Sequence, residues 1–147
     1  MLTFKSEVRK SAVHGQGLFT LEPLKAEQIL FAFDPIQDKK YTPAEFHKLP
    51  ELEQRYLNYW GYHDTMDDCY YLGAGNDQYT NHSTTPSTYV DSEGNVRASH
   101  DIPVGGEITC DYTTFDKLSE YKLVGTGARD ALQESLARSK SSSAATT

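Results

Sequence analysis

Three short polar stretches hold the residue types with which this chain could do chemistry. The first is Asn81-His82-Ser83, set in a polar run from Gly75 to Pro86. Asn, His and Ser in succession give a dense set of short donors and acceptors. The run has neither the apolar alternation of a buried strand nor the 3.6-residue stripe of a helix, so irregular backbone is expected. Pro86 biases Thr85 away from helix. Taken alone, such a run reads as a surface loop. The second stretch is Gly15-Gln16-Gly17, whose glycines let the backbone turn sharply and bring its amides close to a ligand. A plain hairpin turn accounts for the same residues. The third Gly and following helix of a dinucleotide fingerprint are missing. The third stretch is Cys110-Asp111-Tyr112, at the end of a strand-like segment.

Composition narrows the chemistry. Cys69 and Cys110 are too few for a disulfide framework or a four-thiolate zinc site. His63, Asp64, His82 and Asp111 match no recognised ligand spacing, so no metal is expected. The net charge of -7 disfavours non-specific nucleic-acid binding and suits cationic partners such as lysine-rich peptides. With ten tyrosines in 147 residues, the chain can pack rings and keep hydroxyls at a cleft. There is no charged-then-apolar leader and no long apolar run. The expectation is an intracellular protein, cytoplasmic first and nuclear as the alternative, with no membrane contact.

The elements that must position these residues are short. Strands are expected over residues 2–8, from Leu18 and Phe19, over 28–33, over 69–72, and over 107–112. A hairpin is expected with arms 88–90 and 96–99 around the turn residues 91–95. Thr42-Pro43-Ala44-Glu45 reads as a capped helix start, ending before Pro50, with a second helix from Leu52 to Trp60. Tyr56, Tyr59, Trp60 and Tyr62 cluster toward and just beyond its end. Residues 128–138 read as a helix with Ala128, Leu132 and Leu136 on one face, and residues 139–147 as a disordered tail.

The order of the motifs resembles the SET domain of protein lysine methyltransferases. The residues that carry the resemblance are His14-Gly15-Gln16-Gly17-Leu18-Phe19; Gly75-Asn76 with Tyr79-Thr80-Asn81-His82-Ser83 and Pro86; and Ile102-Pro103-Val104-Gly105 running into Glu107-Ile108-Thr109-Cys110-Asp111-Tyr112. The resemblance covers roughly residues 3–115 and implies a SET domain over 1–115, with a helical insertion at about 42–62 and a helical or lid segment over 116–138. It implies a mainly β fold with short helices, a β-clip of small sheets whose Tyr112 segment passes under the Asn81 loop as a pseudoknot. It implies S-adenosylmethionine as methyl donor, held by His14, Gly15, Gln16 and Gly17, by Asn81 and His82, and by Phe115. Tyr112 would be the catalytic tyrosine, and Cys110, Tyr59 and Tyr62 would line the acceptor channel. The implied partner is a lysine-containing protein substrate of basic or histone-like character.

The chain departs from the family pattern in places. Thr84 and Ser87 stand where Cys and Asn are usual, Gln78 where Arg is usual, and Cys110 where Phe or Tyr is usual. The zinc-binding cysteines that follow many SET domains are missing, so a lid over the donor must come from Phe115, Tyr121 or the C-terminal helix. Cys110 is smaller than either ring, which leaves room for di- or trimethyl-lysine unless Tyr59 or Tyr62 fills the gap. The alternative activity is a non-catalytic SET module that binds a basic peptide.

Overall fold

The computed structural model describes residues 1–123. In chain order the strands and helices are β1 (Ser6–Lys10), β2 (Gln16–Thr20), β3 (Ile29–Phe31), β4 (Lys39–Tyr41), α1 (Pro43–Lys48), α2 (Glu51–Trp60) and β5 (Tyr62–His63). They continue with β6 (Tyr70–Leu72), a 3-10 turn (Asn76–Tyr79), β7 (Asn81–His82), β8 (Thr88–Val90), β9 (Val96–Ala98), β10 (Glu107–Cys110), a second 3-10 turn (Tyr112–Thr114) and α3 (Ser119–Leu123). The expected helix over residues 128–138 and the tail from Ser139 lie outside the described residues. Among the described residues, no helix is long and apolar enough to cross a membrane.

The strands form three small sheets, ordered β1-β2-β10-β7, β3-β9-β8 and β4-β6-β5. β1 and β2 are a hairpin, from Ser6 opposite Thr20 to Lys10 opposite Gln16, and Gly15 closes it at φ +43°. Phe4, Leu18, Leu24, Leu30, Ala98, Ile102 and Ile108 make one core, drawn from two of the sheets and the loops between them. Leu18 and Ile108 face each other across β2 and β10, so the core fixes the register of the strand that leads to Tyr112.

The helical insertion has its own core of Phe46, Leu57 and Tyr70. Phe46 and Tyr70 stack with centroids 3.7 Å apart. Thr42 and Glu45 form the capping box their spacing predicts, and Pro43 opens α1. Pro50 lies immediately before α2, whose end is set at Gly61.

Three expectations are corrected. The first strand lies over Ser6–Lys10 rather than 2–8, and Leu2 makes only a bridge to Phe31. The run around Asn81 is not irregular throughout, for it holds a 3-10 turn and the two-residue β7. The last strand stops at Cys110 rather than Tyr112, because the Asp111 carboxylate accepts the N–H of Thr113 and starts a 3-10 turn.

Candidate active site

The site is built where β7 and β10 run parallel, with Asn81 opposite Thr109 and His82 opposite Cys110. This pairing brings the polar run and the Tyr112 segment side by side. Ser87 supports it from behind: its N–H donates to Thr109 Oγ1, and its own Oγ accepts the N–H of Thr109. The departure at Ser87 is therefore a buried brace for β10.

Asn81 is 2% exposed. Its Nδ2 donates to His14 O at 2.9 Å and to Gln16 O at 3.0 Å. The amide thus ties the glycine loop of His14, Gly15, Gln16 and Gly17 to β7. A Cβ added to Gly17 would meet Glu107 Oε1 at 2.2 Å, Ser11 Cβ at 3.0 Å and Asn81 Nδ2 at 3.2 Å. Glycine is required there for close approach rather than for a left-handed conformation.

His82 accepts the Tyr112 N–H at Nδ1, 3.1 Å away. In the neutral ring this puts the proton on Nε2. Tyr112 is buried, and its hydroxyl donates to Thr80 O at 2.5 Å. With that hydrogen committed to Thr80 O, the phenol oxygen can meet a further partner only as an acceptor.

A largely apolar cavity runs from the main core to this point. Tyr62, Cys110, Tyr112 and Phe115 all line it, together with Trp60 and Asp77. Tyr62 stacks on Tyr71 and meets Phe115 edge-on. Burial pushes the Tyr62 phenol well above its ordinary value, so it stays a neutral donor. Burial also raises the Asp77 carboxyl to about 6. Tyr59 is not brought to the cavity: it is buried on α2 with its ring edge-on to Trp60. Of Tyr59 and Tyr62, it is Tyr62, just beyond the helix end at Gly61, that lines the cavity with Cys110.

The segment after Tyr112 docks on β5. Asp64 and Asp116 form a bridge, Thr65 N–H donates to Phe115 O, and Lys117 N–H donates to His63 O. Asp116 is buried, its Oδ1 taking the N–H groups of His63 and Leu118. This docking sets the wall that Phe115 presents.

Two further candidate residues carry no functional signal in the sequence. Glu107 reads there only as a strand residue; its Oε1 is buried without a hydrogen-bond partner beside Gly17. A lone buried carboxylate oxygen is costly unless a cation meets it. Lys122 had no signal at all, since its partners are Asp116 and the distant Gly61 carbonyl. A small ammonium-bearing ligand fits the first place. The loop backbone, the glycine without a Cβ and the unmatched Glu107 oxygen suit the ammonium of an amino-acid moiety such as that of S-adenosylmethionine.

A family model described as "SET domain" matches residues 15–113, and the chain belongs to that family. Among solved structures, it is similar to a proposed histone methyltransferase of Plasmodium falciparum. The identity is 22% and the TM-score 0.51, over 76% of this chain and 95% of that one. It is also similar to a humanized mutant of the Chaetomium thermophilum Polycomb Repressive Complex 2 bound to the inhibitor GSK126, at 16% identity and a TM-score of 0.57. That match covers 82% of this chain and only 16% of the other. At these identities the likeness establishes the fold, a mainly β SET arrangement of small sheets. No curated protein matches the chain.

Proposed function

We propose that the protein is an S-adenosylmethionine-dependent protein lysine N-methyltransferase. The observation that carries this reading is the meeting of two half-sites at neighbouring strands. The Asn81-tied glycine loop lies on one side, and the cavity of Tyr62, Cys110, Tyr112 and Phe115 on the other. When bound, S-adenosylmethionine supplies a methyl group activated by its sulfonium charge.

The remaining roles belong to this chain. His14 to Gly17 hold the donor's amino-acid end, with Glu107 facing its ammonium and Asn81 fixing the loop. His82 and Phe115 bound the rest of the donor site. Rings of the cavity bury an acceptor lysine's stem and leave only its nitrogen to react. Neutralising a free lysine at pH 7 costs about 4.6 kcal/mol. A narrow apolar channel lowers that cost because it disfavours the ammonium. The Tyr112 oxygen accepts an N–H of the amine and aims its lone pair, so alignment rather than a dedicated base carries the rate.

The acidic balance of the chain supports a basic protein substrate. Histone methyltransferase is the description of one similar protein, and a histone-like substrate is proposed here on that footing. Tyr62, which lines the same cavity as Cys110, supports restriction to low methylation states in place of the roomy channel that Cys110 alone implies. Calorimetric titration with the donor, followed by turnover on a lysine-rich peptide, tests the reading. Donor binding with turnover supports it. Donor binding without turnover on any lysine substrate would leave the peptide-binding module as the better description.

A further inference from the structure

One lysine, Lys122, lies among the described residues that line the cavity. Its side chain is 3% exposed and that of Asp116 is 2% exposed. Lys122 Nζ donates to Gly61 O at 2.5 Å and to Asp116 Oδ2 at 2.7 Å. Lysine is rarely buried, and its stem usually lies along the surface with the nitrogen in water. Here the nitrogen is inside.

Both acceptors are fixed by other bonds. Gly61 closes α2 through its N–H on Leu57 O. The other oxygen of Asp116 takes two backbone N–H groups, from His63 at 3.1 Å and Leu118 at 2.9 Å. A carbonyl and a carboxylate therefore converge on one primary amine, in the cavity that Tyr62, Cys110, Tyr112 and Phe115 share. That environment suits an acceptor lysine: a buried stem and a nitrogen oriented by acceptors, here with a carboxylate that can also take its proton.

Resting on the methyltransferase reading above, we propose that Lys122 fills the acceptor cavity in cis and that the protein methylates this lysine on itself. Nζ first gives a proton to Asp116 Oδ2. Its lone pair then forms the N–C bond to the donor's methyl carbon while the C–S bond breaks. The electron pair of that bond stays on sulfur, and the sulfonium becomes a neutral thioether. Nζ ends as a secondary ammonium, and the proton on Asp116 passes to solvent.

The two acceptors also set the product. A monomethylated ammonium keeps two N–H donors, enough for Gly61 O and Asp116 Oδ2. A trimethylated one keeps none and would leave both acceptors buried without donors. One methyl group is expected on Lys122.

The full chain, incubated with S-adenosylmethionine and no other substrate, is mapped by peptide mass spectrometry. Lys122 is expected to carry a single methyl group, with a rate constant that does not change with protein concentration. A rate proportional to concentration, or trimethylation, would overturn the proposal. A donor-free readout is labelling with acetic anhydride. Lys122 should react slower than the exposed Lys25 and Lys48 by roughly tenfold or more, as for a group reached only by local opening; equal rates would overturn filling in cis. Lys122→Ala should also bind n-butylamine, a mimic of the lysine stem and nitrogen, at least tenfold more tightly than the wild type; equal affinity would overturn filling in cis. If that variant fails to fold, the map and the labelling of the wild type still decide. An unmodified Lys122 in a sample that methylates an added lysine-rich peptide would sink this inference and leave the methyltransferase reading intact. Loss of donor binding altogether would remove both.

Discussion

Asn81→Ala is the perturbation whose consequence follows most directly from the geometry. It deletes two hydrogen bonds, 2.9 Å to His14 O and 3.0 Å to Gln16 O. Each neutral bond contributes roughly 0.5–1.5 kcal/mol net, so the fold should lose about 1–3 kcal/mol. The loss sits toward the lower end, because Gln16 is exposed and His14 half-buried, and water can replace the donor there. The effect on the ligand is larger in kind: a loop no longer tied to β7 must be ordered by the donor itself. If roughly 1.5–3 kcal/mol of that ordering falls on binding, donor affinity drops by roughly tenfold to a hundredfold. Titration calorimetry of both proteins, with thermal unfolding alongside, reads the two effects separately. Asn81→Asp keeps the shape but points oxygens at two carbonyls, so it should bind the donor no better than Asn81→Ala. Donor affinity equal to wild type in either variant would refute the assignment of Asn81 as the tie of this loop.

Three further outcomes follow from the same geometry. Glu107→Gln removes the charge of a half-buried carboxylate whose Oε1 is buried and unpaired beside Gly17; thermal unfolding should show an unchanged or more stable fold, while calorimetry shows donor affinity down by roughly tenfold. Unchanged donor affinity would take Glu107 out of the site. Tyr62→Phe removes one of the two phenols, with Tyr112, that line the cavity with Cys110, so the product lysine should shift toward di- and trimethyl forms by mass spectrometry, and Cys110→Tyr should shift it toward the monomethyl form. The Asp77 carboxyl, raised by burial from 3.8 to about 6, binds a proton more tightly in the fold than in the unfolded chain. Its contribution to stability is therefore full below about pH 4 and is lost as pH rises through about 6. The shift is worth about 3 kcal/mol at full weight and about 1–2 after discount for partial exposure. Asp77→Asn should be more stable than wild type by that amount at pH 7 in urea unfolding, with the gap closing by pH 4.

What the sequence disclosed was what is local. The capping box at Thr42 and Glu45, the Gly15 hairpin and the 88–98 hairpin each depend on residues a few positions apart, and each formed as expected. β7 was not legible, since it has two residues and exists through parallel pairing with β10. No periodicity can mark such a strand. The end of β10 turned on one side-chain bond from Asp111, which a propensity for strand does not foresee. Within the aromatic cluster, Tyr59 and Tyr62 looked equivalent. They separate because α2 stops at Gly61, which leaves Tyr59 on a buried helix face and carries Tyr62 onto β5 beside the cavity. The site residues around Asn81 and Tyr112 were reached through the ordered motifs, whereas Glu107 and Lys122 depend on packing across strands and loops far apart in sequence.

The central claim is transfer of a methyl group to a lysine nitrogen, with Tyr112 orienting the amine. The direct measurement incubates wild type and Tyr112→Phe with isotopically labelled S-adenosylmethionine and a lysine-rich protein fraction, and locates label by mass spectrometry. The account predicts label on lysine Nζ with the wild type. The Phe variant should be folded and should bind the donor about as well, with transfer lower by roughly a hundredfold or more, as for loss of an oriented transition-state contact. Equal labelling by the two proteins, or a wild type that binds the donor and labels no lysine, would contradict it.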